Sequence, residues 1–306
     1  MMKYKIACIV PTYNGRVELE RLLRSLNIQK DISFETIIID SSSTDGTSEL
    51  AKSFNCKVLS IPKKDFNHGG TRQYAINENP NYDLYILLTQ DAYLEDESSL
   101  KNITLPFQDE TVGAVYGRQL PHVNANKFAA HARLFNYGTK SQQKDISNSI
   151  IYGIKTPFLS NSFSAYRREM LESTGGFPEH VILSEDMYVG AKSILSDWKI
   201  FYASNAECRH SHNYTIREEF RRYFDIGVFH AREPWIVEAF GGTGGEGLRF
   251  VKSEIKYLGL SNIHLWPLAG LRNFLKILAY KLGKRESLLS IGIKSKLSMH
   301  KAYWRE

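Results

Sequence analysis

Apolar positions in the first ninety residues switch between two spacings. KIACIV (5–10) is an unbroken apolar run suited to a strand buried on both faces. Leu19, Leu22, Leu23 and Leu26 then recur at i, i+3, i+4 and i+7, one face of a helix. FETIIID (34–40) returns to strand character, and Thr47, Leu50, Ala51 and Phe54 repeat the helical spacing. CKVLSI (56–61) and DLYILLTQD (83–91) predict two more strands with a short helix between them. This alternation predicts right-handed crossovers and an α/β domain with a mainly parallel sheet. Ligands of such sheets bind at the carboxyl ends of the strands.

Beyond residue 110 the pattern loosens. VGAVYGRQ (112–119) predicts a strand, NKFAAHARLFNYG (126–138) a helix, and SNSFSAYRREMLESTGGF (160–177) a strand running into a short helix closed by glycines. Thr215 and Glu218 stand in capping-box register ahead of an aromatic and basic helix. GGTGGEG (241–247) lacks the Lys-Ser/Thr of a nucleoside-triphosphate loop and reads as a lid or linker.

Composition narrows the class. With 42% hydrophobic residues the 306-residue chain can bury a sizeable core. Its longest apolar runs fall far short of the roughly 20 residues a membrane-spanning helix needs. The N-terminus reads as a first strand and not as a signal peptide. Cys8, Cys56 and Cys208 are widely spaced, without metal-type spacing, and read as reduced thiols of a cytoplasmic protein. The net charge is +6, but residues 272–306 alone carry nine Lys/Arg against two Asp/Glu. A basic tail on a near-neutral body points to an anionic surface. No helix-turn-helix, zinc or RNA-stacking signature supports nucleic acid, so lipid headgroups are the expected partner.

Four strand ends carry polar groups: PTYN (Pro11, Thr12, Tyr13, Asn14), Asp40 with SSSTDGT, HGGTR (68–72) and TQDA (89–92). Asp45, within STDGT, reads as a helix cap or turn former. Asp40 ends an apolar strand, where its carboxylate can accept the N3–H of a uracil or thymine ring.

Together these motifs resemble, in order and over roughly residues 5–215, the inverting family-two glycosyltransferases of the GT-A fold. The fuller spelling around HGGTR is similar to bacterial rhamnosyltransferases that use dTDP-L-rhamnose. The resemblance implies a GT-A catalytic domain at 1–213, with a nucleotide-sugar half (1–119) and an acceptor half (120–213), then a helical, basic C-terminal region (214–306). It implies that Asp40 binds the pyrimidine, with Pro11, Thr12, Tyr13 and Asn14 lining the same pocket. His68, Gly69, Gly70 and Arg72 would meet the diphosphate, the glycines by letting backbone approach the ligand closely. Gln73 stands where relatives often carry Asn.

TQDA falls where the family's Asp-x-Asp metal motif belongs, with Asp91 as the second acid, Thr89 in place of the first and Gln90 between them. A divalent metal, Mg²⁺ or Mn²⁺, would be held by Asp91 with His210 and His212 of RHSHNYT. The competing reading makes these histidines hydrogen-bonding groups that order a loop. Within LSEDMYVGAK (183–192), Asp186 is the implied general base and Glu185 its support or substitute.

The expected function is inverting transfer of L-rhamnose from dTDP-β-L-rhamnose to a hydroxyl of a growing, lipid-diphosphate-linked cell-surface polysaccharide. The expected location is cytoplasmic, peripheral on the inner face of the cell membrane. The alternatives are a UDP-sugar donor or a non-catalytic sugar-binding protein. Asp40, Arg72, Asp91 and Asp186 are expected to line one cleft. In the C-terminal region Leu271, Phe274, Leu275, Leu278 and Leu282 fall on one helical face, with Arg272, Lys276 and Lys281 elsewhere. Such a face either packs on the catalytic domain or docks on an anionic membrane.

Overall fold

The structure is a computed structural model and describes residues 4–242 and 245–304. Four parallel strands form one side of a single sheet: β1 (Ile6–Thr12), β2 (Glu35–Asp40), β3 (Lys57–Ser60) and β4 (Leu84–Leu88), in the order β3-β2-β1-β4. Their connections contain α1 (Arg16–Asn27), α2 (Thr47–Ser53) and α3 (His68–Asn77). Successive residues of β1 enter opposite cores, Ala7 and Ile9 on one face and Ile6, Cys8 and Val10 on the other. That two-sided burial accounts for the unbroken apolar run. Pro11 lies past the end of the β4 ladder, which covers Ile6–Ile9, so its missing N–H costs no bond there.

The sheet continues β4-β8-β6-β9-β5, with β7 (Gln142–Lys144) also on β9. Here β5 is Tyr93–Leu94, β6 Val112–Leu120, β8 Phe163–Arg167 and β9 Lys199–Arg209. β8 runs antiparallel to both β4 and β6, whereas β6 and β9 are parallel. The fold is thus GT-A-like: a wholly parallel first half and a mixed second half. Helices α4 (Ser99–Thr104), α5 (Lys127–Asn136), α6 (Ser149–Tyr152), α7 (Arg168–Thr174) and α8 (Glu185–Leu195) connect these strands. The three thiols are free, with Cys8 and Cys208 buried.

The C-terminal region is helical: α9 (Ile216–Arg232), α10 (Pro234–Phe240), α11 (Glu246–Leu258), α12 (Trp266–Gly283) and α13 (Ile291–Leu297). The Thr215–Glu218 capping box is present and starts α9. The 241–247 stretch, read as a lid or linker, includes 243 and 244, which lie outside the described residues. Phe224, Val228, Phe229, Ala279 and Trp304 join the same core as Ile9, Ile37 and Leu87, so these helices cover one face of the sheet.

Helices α9 and α12 cross at glycines. A Cβ on Gly227 would stand 2.3 Å from the Tyr280 carbonyl oxygen, and one on Gly283 would stand 2.0 Å from that of Phe224. Helix α12 therefore buries its small and polar residues: Ala269, Arg272, Asn273, Lys276, Ala279 and Gly283. Arg272 and Lys276 both pair with Glu219, at 2.9 and 2.8 Å, and Asn273 donates to Glu254 at 2.6 Å. Of the apolar face expected here, Leu271, Phe274 and Leu278 look outward, while Leu275 is half-buried and Leu282 packs against the core. No helix among the described residues is long and apolar enough to cross a membrane.

Candidate active site

The base-side residues meet at the carboxyl ends of β1 and β2. Thr12 and Asp40 are register partners, and the Thr12 hydroxyl donates to Asp40 Oδ1 at 3.3 Å. Asp40 Oδ2 accepts the Ser43 N–H at 2.9 Å. An ionised carboxylate has about four lone-pair sites, so two such bonds leave capacity for a ligand N–H. Asn14, at φ 43°, accepts from the Thr44 N–H and donates its own N–H to Ser43, clasping the turn after β2. Asp45 is a turn former, as expected: it accepts from Thr47 and from the Arg16 N–H. Gln90 bridges to Tyr13 through both amide atoms, at 2.9 and 3.3 Å. A Cβ on Gly15 would collide with that amide at 2.3 Å, a requirement the sequence alone did not signal.

Helix α3 begins at His68, so HGGTR is the helix start itself and not a loop ahead of it. Asn67 caps it by accepting the Gly70 N–H at 2.8 Å. The glycines do permit a close approach, but the approached surface is the loop before α8. A Cβ on Gly69 would lie 1.8 Å from the Pro178 oxygen, and one on Gly70 would lie 3.0 Å from Glu179 Cγ. Gln73 accepts the Phe177 N–H at 2.8 Å and so fastens the Gly-Gly-Phe lead-in to α3.

Arg72 is buried. Its Nη1 donates to the His68 carbonyl at 2.7 Å and pairs with Glu185 Oε1 at 3.0 Å. Its Nη1 is thus taken by protein, while its buried Nε has no hydrogen-bond partner among the described residues.

Glu185 and Asp186 open α8 after Ser184, which is held at φ 62°. Asn161, ahead of β8, serves both acids: its N–H donates to Asp186 Oδ2 at 3.1 Å and its Nδ2 to Glu185 Oε1 at 2.9 Å. Ser164 and Tyr166 in turn donate to Asn161 Oδ1. Glu185 is buried and stays ionised, because the charge of Arg72 overcomes burial and holds its pKa below the usual value. Asp186 is half-buried; burial, then the adjacent Glu185 charge, pushes its carboxyl up to about 7. A carboxylate so placed can take a proton near neutral pH.

Asp91, His210 and His212 converge, with their ligating atoms within 4.8 Å of one another. His210 Nε2 and His212 Nδ1 lie 3.5 and 3.7 Å from Asp91 Oδ2. Burial pushes the Asp91 carboxyl up, but the hydrogen bond and charge of His210, with His212 behind it, hold it well below the usual carboxylate range. Burial also lowers His210, and lowers His212 to about 4. A divalent cation requires Asp91 ionised and both imidazoles neutral; burial already disfavours the imidazolium forms, and a bound cation would replace the histidine proton facing Asp91, so the donor set fits one. His210 Nδ1 contacts Gln119 Oε1 at 3.0 Å, which assigns the proton to Nδ1 and leaves Nε2 free to ligate. The buried Thr89 hydroxyl also helps to lower Asp91, although it makes no close hydrogen bond among the described residues.

A cleft of about 400 Å³ opens over Asp91 and His212, lined also by Arg21, His122, Tyr214 and Glu218. Of the four groups expected in one cleft, Asp91 lines this cavity, and Asp40, Arg72 and Asp186 are not among its lining residues. Thr12 and Ser43 occupy part of Asp40, and Arg72 is turned onto Glu185.

Little along the chain marks Asn161, Gln119 or His300 as site residues. The polar triplet SNS before β8 was the available signal for Asn161. His300 packs edge-on against the His68 ring, 4.9 Å between centroids, while buried Asp225 accepts the neighbouring Met299 N–H at 2.8 Å. The C-terminal segment therefore supports the start of α3.

Comparison with known proteins agrees with this geometry. The profile of Glycosyl transferase family 2 matches residues 7–175. The chain is 50% identical to the O-antigen chain rhamnosyltransferase RfbN of Salmonella typhimurium over 98% of its own length and 96% of that protein's. It is also 50% identical to WbaN of Salmonella anatum, another O-antigen chain rhamnosyltransferase, over 97% and 94%. Among solved structures it is similar to the mannosyltransferase PcManGT of Pyrobaculum calidifontis in complex with GDP-Man and Mn²⁺. That match has TM-score 0.59 and 19% identity, and covers 99% of this chain and 86% of that one. It is likewise similar to S. aureus TarS 1–349 in complex with UDP-GlcNAc, with TM-score 0.55 and 19% identity over 93% and 91%. The ordered strand-end motifs, the sheet that carries them and a family match over more than half the chain lead to one conclusion: this protein is a glycosyltransferase and belongs to glycosyl transferase family 2.

Proposed function

We infer that this protein transfers L-rhamnose, with inversion, from dTDP-β-L-rhamnose to a hydroxyl of a growing lipid-linked polysaccharide. The observation that carries the chemistry is Asp186, a half-buried carboxylate raised to about 7 and oriented by the Asn161 and Met187 N–H groups. The choice of sugar rests on the 50% identity to two O-antigen chain rhamnosyltransferases along nearly the whole chain.

In this reading Asp40 accepts the N3–H of the pyrimidine, and Thr12, Tyr13 and Asn14 frame the base. Asp186 takes the proton of the acceptor hydroxyl as that oxygen attacks the anomeric carbon. The bond from that carbon to the diphosphate breaks on the opposite face, and dTDP leaves with the electron pair. A divalent cation held by Asp91, His210 and His212 would offset the charge that develops on the departing diphosphate. Two nitrogen donors beside one carboxylate suit Mn²⁺ better than Mg²⁺, which prefers oxygen ligands. Arg72 acts at one remove, by keeping Glu185 ionised and thereby raising Asp186. The acceptor's lipid anchor would place the reaction at the cytoplasmic membrane surface.

The test is a panel of dTDP- and UDP-sugars with Mn²⁺ and a lipid-diphosphate-linked oligosaccharide, read by product mass and anomeric NMR. An α-L-rhamnoside formed from dTDP-β-L-rhamnose is expected. Transfer from a UDP-sugar alone would overturn the donor assignment, and a β product would overturn inversion.

A further inference from the structure

The outward face of α12 is apolar where a solvated helix would be polar. Pro267, Gly270, Leu271, Phe274, Ile277 and Leu278 share it at helical spacing, and all six are exposed. Leu271 is 48% exposed, Phe274 62%, Ile277 54% and Leu278 39%, whereas Arg272 and Lys276 beside them are each only 8% exposed. The arrangement is built in: the Gly227–Gly283 crossing leaves no room for a side chain at that point, and further along the helix Glu219 holds both cations inward. Just upstream, Leu260 and Ile263 add two more exposed apolar side chains.

The exposed charges carried by residues 247–304 have one sign. Between 247 and 304 the acids are Glu254 and Glu286, both buried. Glu254 accepts from Asn273, and Glu286 pairs with Arg232 and Lys294. Lys252 and Lys256 on α11, Lys281, Lys284 and Arg285 at the end of α12, and Lys296 on α13 are exposed. Among the described residues none of these six takes part in an ion pair. A protein partner in general presents and meets both signs at its rim, whereas an anionic bilayer meets an apolar ridge with a cationic collar.

We propose that α12 lies in the membrane–water interface, with Leu271, Phe274, Ile277 and Leu278 inserted at the headgroup–acyl boundary and the neighbouring lysines on anionic headgroups. The apolar stripe supplies the anchoring and the cations supply lipid selectivity. The assignment deepens the reading of the acceptor as lipid-linked.

The test is flotation of the full chain with vesicles of phosphatidylcholine, with and without phosphatidylglycerol. Wild type is expected to float with the anionic vesicles. F274D/I277D changes two exposed positions and is expected to lose partitioning by about tenfold or more, with unchanged thermal unfolding. K281E/K284E/R285E is expected to lose the gain conferred by phosphatidylglycerol. Wild type remaining unbound to every vesicle, or F274D/I277D floating like wild type, would overturn the proposal. So would a wild-type dimer that F274D/I277D converts to monomer by light scattering, since the stripe would then belong to a second copy. Flotation uses no donor or acceptor, so a failed sugar assignment leaves this test standing.

Discussion

Asp91 and Asp186 are the same residue type in two surroundings, and they differ in the sign of their neighbours. Burial pushes both carboxyls upward. Around Asp91 two imidazoles outweigh that push and keep an anion in place. Beside Asp186 the ionised Glu185 adds to it, and the carboxyl rises to about 7. One site is a standing anion suited to a cation, the other a group that can accept a proton at neutral pH. Arg72 sustains the difference by pairing with Glu185 and keeping it ionised, while its own pull on Asp186 is a lesser influence that burial and Glu185 outweigh.

The sharpest way to break this contrast is Asp186→Asn. Transfer should fall by about 10²–10⁴-fold while donor binding, measured by calorimetry, stays near wild type. Unchanged turnover would return the base role to Glu185. Next, Arg72→Ala leaves Glu185 buried without its cation and should cost about 3–5 kcal/mol in urea unfolding. A negligible loss would mean that Asn161 alone satisfies Glu185. On the other side of the comparison, Gln119→Ala releases His210 Nδ1 and should weaken Mn²⁺ binding by about 10–100-fold in titration calorimetry. Unchanged affinity would remove His210 from the ligand set.

The smallest effect concerns pH. The base must be ionised, so kcat/KM should climb as pH rises through about 7 and fall off below it. Glu185→Gln removes the neighbouring negative charge and should move that limb to lower pH, on the order of one pH unit. A profile flat across neutrality would exclude Asp186 as the titrating base.

Much of the nucleotide half was legible in the sequence because its signals are local. Buried parallel strands read as apolar runs, α1 shows its leucine spacing, and each strand end carries its polar residues within a few positions. The second half depends on distant partners. Asn161 gains meaning only when it meets Glu185 and Asp186 across 24 and 25 positions, and Gln119 meets His210 across 91. Glycine arithmetic misled for a related reason. Gly69 and Gly70 do mark a close approach, but nothing local says that Pro178 and Glu179 make it. Helix α12 defeats the amphipathic rule because that rule assigns apolar residues to the interior. Here backbone contact at Gly227 and Gly283 excludes side chains at the crossing, and the half-buried Glu219 draws Arg272 and Lys276 inward further along.

The glycine crossing has a geometric consequence. Two helices joined backbone to backbone have little freedom to slide or tilt, and α9 is fixed further where Asp225 grips the segment leading to His300. The outer ridge of α12 is thereby tied through α9, Asp225 and His300 to His68 on α3, and from α3 through Arg72 to Glu185 at the start of α8. The distance from that ridge to Asp186 acts as a built-in ruler, and a bulky residue at position 227 would change its length before it changed any group that does chemistry.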